Sequence, residues 1–495
     1  FVPNNEIGYG GKSIQGVDPQ YVRKIYNESI KIESSTKDGN GAAAAYSGTK
    51  ITATIENWSE EALTGRLKAY INETTPVELS GATISGETLT VTLSSLSAQD
   101  GKNVYTELAV PNNSNLYVDE SLKPITSGTK YKSDRIPYRY GIPISTADDL
   151  EKFMKKESPY TDRSSTARYI LSNNINMSSK GVITYSETVF AGTFDGDNHT
   201  VVGLKNPIFA YVYGSSANYA NVRNMIFYNA SVDTENISGT LGTGASVIAR
   251  CANYVNFNKI MLIDSVMKGN QDAGYLTALI WGDSDATTYA NVTEIFTAGG
   301  SVSSKKGSMG SLIGHYRAGI LENSASINTT LGTAAINKGG LMGTSYENAK
   351  IKNVYAASAI GNATAKSGGL VSVGDGPKTN ITNGYYDATV SGITSPLSGT
   401  GTPLSTLDMI GDNSTLSTAF GKGGVWKYRT GAYPILTWIE NHPIAIMYTA
   451  TRGAFTSVDG KTTNTAMFNG DISGTIKVPE ELQKNSYSYK SSNES

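Results

Sequence analysis

Gly339-Gly340-Leu341-Met342-Gly343 returns 29 residues later as Gly368-Gly369-Leu370-Val371, and that recurrence decides the fold. Working outward from it, an apolar position that opens the second strand of each unit recurs at Val222, Phe257, Val292, Leu321, Ile351 and Ile381. The intervals are 35, 35, 29, 30 and 30 residues. A second apolar mark accompanies it at Val247, Leu279, Leu312, Leu341 and Leu370. A period of this length is the signature of a solenoid, in which each unit buries its apolar face only against its neighbours. Glycine at the corners is expected to provide the bends and the close backbone approach.

The 495 residues exceed one ordinary core, so two to four domains are expected. Charged residues make up 17% and hydrophobics 39%, with 52 Gly and 30 Tyr, a β-rich and turn-rich composition of extracellular style. A net charge of −2 and a pI near 6.1 supply no electrostatic footprint for nucleic acid or an anionic membrane. One cysteine, Cys251, cannot build an intrachain disulfide framework, which suits a prokaryotic surface protein. No run of about eighteen apolar residues is present, so no membrane span is expected. The first residue is Phe1, consistent with removal of a signal peptide or upstream segment. Sequons at Asn57, Asn72, Asn112, Asn198, Asn229, Asn236, Asn291 and Asn328 leave glycosylation open.

Residues 1–140 alternate in short runs. Ile51, Ala53 and Ile55 share one face, as do Leu67, Ala69 and Ile71, then Leu89, Val91 and Leu93, then Val104, Leu108 and Val110. Period-two strands between turn clusters predict an antiparallel, Ig-like β-sandwich. Gln20–Lys31 reads as either a short helix or a strand. At Ser145-Thr146-Ala147-Asp148 the pattern switches to a helix start, with Leu150, Phe153 and Met154 on one face through Glu157. Placed before a solenoid, such a helix is a cap that covers the first coil's open end.

The phrases that follow resemble a known family. Tyr169-Ile170-Leu171 through Met177, the run Gly192-Thr193-Phe194-Asp195-Gly196 through Leu204, and the two Gly-Gly-Leu phrases are similar to GLUG repeats of bacterial cell-surface proteins and of the non-catalytic N-terminal region of IgA-protease-type metallopeptidases. The resemblance covers about residues 144–440 and closes with Trp426 through Gly431, Tyr433-Pro434, Leu436 and Trp438. It implies a right-handed parallel β-helix. Ala245 through Arg250 lacks the Gly-Gly-Leu phrase, and Asp197-Asn198 stands where Asn-Gly is usual. Residues 441–495 are read as an extended β-rich tail or partial domain that could pair with a neighbouring subunit by strand exchange.

Candidate chemistry is sparse. Three histidines, His199, His315 and His442, occur without a His-Glu-x-x-His. His199 is expected to be structural, and His315 solvated or stacked. Asp195 and Asp197, and Asp283 and Asp285, place oxygen ligands at alternate positions that would suit calcium, although turn residues satisfying their own backbone explain both loops. No other cofactor is indicated. A glycan-cleaving β-helix would need opposed carboxylates, whereas Asp264, Glu294, Glu322 and Asp387 are scattered; Arg250, Lys259 and Lys268 could accompany Asp264. Aromatics crowd the early coils. Tyr211, Tyr213, Tyr219 and Trp281, with Tyr228, Tyr254, Tyr275 and Tyr289, form either an exposed ladder for sugars or partner proteins or a stack inside the solenoid.

These readings predict an all-β, non-enzymatic protein of the prokaryotic cell surface. It would be a subunit of a surface layer or filament, or a stalked adhesin, whose partners are copies of itself or a host or cell-surface protein or glycan. The alternatives are the non-catalytic targeting region of a larger surface metalloprotease and a glycan-degrading β-helix.

Overall fold

The computed structural model describes residues 23–24 and 29–440, except 57, 111–116, 119–120, 122–124, 127, 184–185, 238–243, 283–288, 333–336, 373–379, 395–399 and 430–431. The tail read from 441 onward, with His442, therefore lies outside the described residues, as do Asp283 and Asp285. The chain divides into two compact units, Phe1–Pro143 and Ile144–Ser495.

In the first unit the alternation becomes two antiparallel sheets. One orders Lys31–Ser34, Lys50–Thr54, Thr88–Thr92 and Thr83–Ser85; the other orders Lys130–Lys132, Asn103–Ala109, Leu67–Ile71 and Val77–Glu78. Ile51 faces Val91, Ala53 faces Leu89, and Leu67 faces Leu108. The apolar face of each sheet enters one core that holds all twelve residues of the four alternating sets. The ambiguous stretch before Lys31 contributes a two-residue strand, Arg23–Lys24, paired in parallel with Tyr117–Val118.

The second unit is a solenoid of parallel strands, each paired with its counterpart about one period later. Four rows of strands make up the large sheet, and a shorter row pairs Ser308–Gly310 with Asn337–Gly339 in later coils. Row two holds the segments 200–202, 225–228, 260–263, 295–298, 324–327 and 354–356, and row three the segments 231–233, 266–269, 301–304, 330–331 and 359–360. Row one contains Arg168–Leu171, Thr193–Asp195 and the segments 220–223, 255–258, 290–293, 320–322, 350–352 and 380–382. The first apolar mark is the register of this row: Val222 pairs with Phe257, Phe257 with Val292, Val292 with Leu321, Leu321 with Ile351, and Ile351 with Ile381. Phe194 and Tyr169 continue the column upstream. With strands about 4.8 Å apart, eight such layers span about 34 Å.

The second mark is corrected in its early members. Backbone hydrogen bonds from Ile248 to Leu276, Leu276 to Leu312, Leu312 to Leu341 and Leu341 to Leu370 define that column, so Ile248 and Leu276 replace Val247 and Leu279. Leu279 sits three residues further on, in row four between Cys251 and His315. Successive coils differ in length, so spacing alone cannot align a position across them.

The corners are corrected too. Between rows one and two the chain bends at one residue of left-handed conformation per coil: Asn224, Lys259, Glu294, Asn323, Asn353 and Asn383, with φ between 48° and 56°. A second such corner, between rows two and three, holds Asn229, Asp264, Gly299 and Asn328. Asparagine and aspartate tolerate this region best among residues with a Cβ. The Gly-Gly-Leu glycines serve close approach instead. A Cβ on Gly340 would lie 2.0 Å from the Gly369 carbonyl oxygen, and one on Gly369 2.0 Å from the Tyr386 ring.

The helix Ala147–Lys155 is built as its sequence predicts. Thr146 accepts from the Asp149 amide, and Asp149 accepts in return from the Thr146 amide, a reciprocal capping box. Leu150, Phe153 and Met154 are buried in the solenoid core. Phe153 meets Tyr169, Phe194 and Phe209 at ring distances of 5.0, 4.9 and 5.6 Å, which closes the first coils.

After Thr402–Leu404, the last strand paired to the coils, the chain folds back over them. Two short helices, Thr406–Met409 and Thr415–Phe420, and the hairpin Trp426–Arg429 with Ala432–Leu436 cover the outer side of row two. There Ile226, Met261, Phe296, Ala325 and Tyr355 form a second core with Met409, Trp426, Tyr433, Leu436 and Ile439. Row two is thus apolar on both sides, as buried parallel strands are.

Candidate functional site: the aromatic outer face of row four

Row four comprises Val189–Phe190, Phe209–Tyr213, Ala249–Asn253, Thr277–Ile280 and the segments 313–316 and 342–345. Val212, Ile280 and Tyr316 point into the core. Strand alternation then turns their neighbours outward. Tyr213 pairs with Asn253, Trp281 donates its amide to Ala252, and Ile280–Tyr316–Ser345 are successive partners. Tyr213, Asn253, Trp281, Arg317 and Tyr346 therefore form one column, one residue per coil. Trp281 is 38% exposed, one of the few exposed large hydrophobic side chains among the described residues.

Contacts hold this face in place. The Arg317 guanidinium lies 4.2 Å from the Trp281 ring centroid and 5.8 Å from that of Tyr346. His315 stacks on Tyr346 with centroids 5.3 Å apart and planes 11° apart, and its Nδ1 is 3.7 Å from Asp272 Oδ2. Asp272 is fixed in turn, accepting from the Ser308 amide at 2.7 Å. In the earlier coils Tyr211 and Tyr213 are 5.5 Å apart, and Arg250 lies 5.4 Å over Tyr211 while bonding Glu187 at 2.8 Å. Burial, then the hydrogen bond with Cys251, raises the Tyr213 phenol above its ordinary pKa, and burial likewise raises the Cys251 thiol. Both are neutral packing groups at pH 7.

No family model matches this chain, and no curated protein does. A similar solved structure is a proposed immunoglobulin A1 protease from Bacteroides ovatus, at 18% identity and a TM-score of 0.45, over 60% of this chain and 93% of that one.

The aromatic residues singled out in the sequence divide between the two expected places. Trp281, Tyr211 and Tyr213 belong to the outer face of row four. Tyr219 stands at the coil corner in a separate ladder with Tyr254 and Tyr289, at 5.7 and 4.9 Å. Tyr275 is fully buried, its hydroxyl donating to the Ser265 and Gly299 carbonyls, and Tyr228 lies in the outer core beneath the C-terminal segment. Arg317, His315 and Tyr346 complete the face. The signal for Arg317 and Tyr346 was available, since 317 follows 281 by 36 residues and 346 follows 317 by 29, close to one coil each.

The acidic candidates occupy structural posts. Asp195 accepts from Arg223 Nε at 2.7 Å, Asn224 Nδ2 at 3.0 Å and the Asp197 amide at 3.0 Å. Asp197 and Asn198 both have positive φ, the pair of conformations a type I′ turn requires. One of the two acidic pairs that suggested calcium, Asp195 and Asp197, thus serves the turn between Thr193–Asp195 and Thr200–Val202. Among the described residues no three His, Cys, Asp or Glu side chains gather as a metal site. Asp264 and Glu294 are left-handed corners, Glu322 pairs with Lys352 at 3.1 Å, and Asp387 caps the short helix Ala388–Ser391 while accepting from Tyr433 at 2.5 Å. Arg250 bonds Glu187, and Lys268 is 3.7 Å from Asp233, so neither stands with Asp264. His199 is buried at the turn, its Nδ1 3.4 Å from Asn174 Oδ1. Among the described residues no helix is long and apolar enough to cross a membrane.

Proposed function

We propose that this chain is a non-enzymatic, extracellular protein of a prokaryotic cell surface, a subunit of a surface layer or filament or a stalked adhesin. The coils supply a rigid scaffold and the outer face of row four supplies the contact surface. The observation that carries this reading is the disposition of the coil carboxylates. Asp195, Asp264, Glu294 and Asp387 are used as corners and caps, while the outward column holds three aromatic side chains with Asn253 and Arg317. Glycoside hydrolysis would instead need two carboxyl groups set about 5–10 Å apart across a bound sugar. The GLUG-like phrases and the Ig-like reading of residues 1–140 suit the same setting.

Light scattering on the purified chain, with negative-stain microscopy, tests the proposal. Ordered sheets or filaments support an assembly subunit, and isolated rods support an adhesin. Release of shortened glycan products would overturn the non-enzymatic reading. The second reading, the non-catalytic part of a larger surface metalloprotease, is favoured by the closing phrase around Trp426 and Tyr433, which resembles that of such regions and here clamps the coils. It would win if the gene continues past Ser495 into a His-Glu-x-x-His.

A further inference from the structure

We propose that Trp281, Arg317, His315 and Tyr346 form a binding site for acidic carbohydrate, in which the indole is the sugar platform and the guanidinium receives the sugar carboxylate. This inference rests on the scaffold reading above and names the ligand that the scaffold presents.

Three observations converge on the site. The first is the exposed indole. Trp281 offers a flat apolar ring with a polar edge at the surface of a rigid strand row, the shape that packs against the C–H face of a pyranose. The second is a cation with no described carboxylate beside it. Arg317 is flanked by the Trp281 and Tyr346 rings, and its Nε is buried without a hydrogen-bond partner among the described residues. No described carboxylate lies within ion-pair distance of it, in contrast to Arg223 and Arg250 on earlier coils. A guanidinium held by ring contacts keeps its N–H fork available for a planar anion, and a carboxylate matches that fork with two parallel bonds. The third is His315 on the adjacent strand position. Its ring is fixed by Tyr346 and Asp272, and its Nε2 is likewise buried and unpartnered among the described residues. Both of these nitrogens are buried, so a ligand meets the terminal N–H groups of Arg317, while His315 holds the Tyr346 ring in place.

Charge selects among anions. A single fork beside an exposed indole fits a unit that combines one negative charge with an apolar face, which describes a uronic or similar acidic sugar. The chain as a whole is slightly acidic, with net charge −2, and lacks the broad positive field that a polyphosphate backbone requires. The column also runs along the stacking direction, so successive coils present Trp281, Arg317 and Tyr346 in line to an extended chain. Asp272, the described carboxylate facing His315, is engaged by the Ser308 amide.

Calorimetric titration of the full chain with hexagalacturonate tests the site. Its methyl ester and a poly-glutamate peptide are the comparison ligands, and W281A, R317Q and R317K the variants. Saturable binding of the acid, at least ten-fold weaker binding of the ester, and ten-fold or greater loss in W281A and R317Q are expected. R317K should also weaken binding, because lysine lacks the fork. The surface variant L407S should bind like the parent. R317Q and R317K keep the stem of a partly buried side chain and should melt close to the parent, whereas W281A removes a ring that is only 38% exposed and is titrated at a temperature where circular dichroism shows it folded. Absence of binding, equal binding of the ester, retention in R317Q, or preference for poly-glutamate would each overturn the site. The same experiment separates the two readings. Shortening of hexagalacturonate would refute the non-enzymatic reading, whereas intact, unbound hexagalacturonate refutes the site and leaves the scaffold standing.

Discussion

Glu294 occupies a corner that its chemistry does not favour. Its φ is 56°, in a column where Asn224, Asn323, Asn353 and Asn383 hold the equivalent position. A left-handed conformation costs an ordinary L-residue about 1–2 kcal/mol, and asparagine is enriched there several-fold, worth about 0.5–1 kcal/mol. The Glu294 side chain makes no hydrogen bond or ion pair with the described residues, so replacement forfeits no contact. Glu294→Asn should therefore stabilise the second unit by about 0.5–1 kcal/mol. It could also extend the amide ladder seen where Asn383 Nδ2 donates to Asn353 Oδ1 at 3.0 Å. Glu294→Gly should gain a similar amount, since relief of about 1–2 kcal/mol is offset by about 0.5–1 kcal/mol of lost chain entropy. The inverse change, Asn353→Val, puts a β-branched residue in the same conformation and should cost about 2 kcal/mol or more. Thermal unfolding followed by circular dichroism should show a rise of about 1–2 °C for the first two variants and a clear fall for the third. Because solenoids can unfold in parts, amide exchange in the strand Ala290–Ala298 should move in the same direction. A Glu294→Gly protein that melts lower than the parent, or an Asn353→Val protein that melts unchanged, would refute the corner argument.

Other consequences can be checked separately. Gly369→Ala should lower the melting temperature sharply, because the added methyl meets the Tyr386 ring at 2.0 Å and that ring is buried. Tyr433→Phe leaves Asp387 without its phenol partner and should cost about 1–3 kcal/mol, with loss of amide protection around 402–440 and little change in the first coils. The Glu151 carboxyl is held down at about 2, from an ordinary 4.5, chiefly by hydrogen bonds with Lys155 and Lys180. A lowered folded-state pKa adds stability that is complete above pH 4.5 and is lost as the pH falls towards 2. The Glu151→Gln variant should show a shallower decline of melting temperature across that window, and an identical decline would remove Glu151 from the acid response. Deleting residues 443–495 should leave the coils folded by circular dichroism but abolish self-association in light scattering; an unchanged oligomer would dismiss strand exchange by the tail.

Much of the second unit was written in the local pattern. Parallel stacking puts chemically equivalent positions above one another, so Val222, Phe257, Val292, Leu321, Ile351 and Ile381 declared their register before any coordinates were known. The helix Ala147–Lys155 was equally legible, since a capping box and an i, i+3, i+4 apolar face are contained within a dozen residues. In the first unit the period-two sets all entered the core. These features depend on neighbours in sequence, or on a repeat that carries its own alignment.

What composition and spacing could not decide were the relations set by packing between distant segments. Whether a tyrosine faces in or out turns on the strand register of its own coil, and so Tyr275 is fully buried while Trp281, six residues later, is exposed. The double burial of row two depends on a segment from 406–440 folding back over coils formed by residues far earlier in the chain. The left-handed corners at Lys259 and Glu294 carry no glycine or asparagine to announce them, because the ladders on either side impose the bend that the residue itself resists. The face of Trp281, Arg317, His315 and Tyr346 arises in the same way. Residues 281, 317 and 346 are remote along the chain, and the coil stacking alone brings them within ring contact.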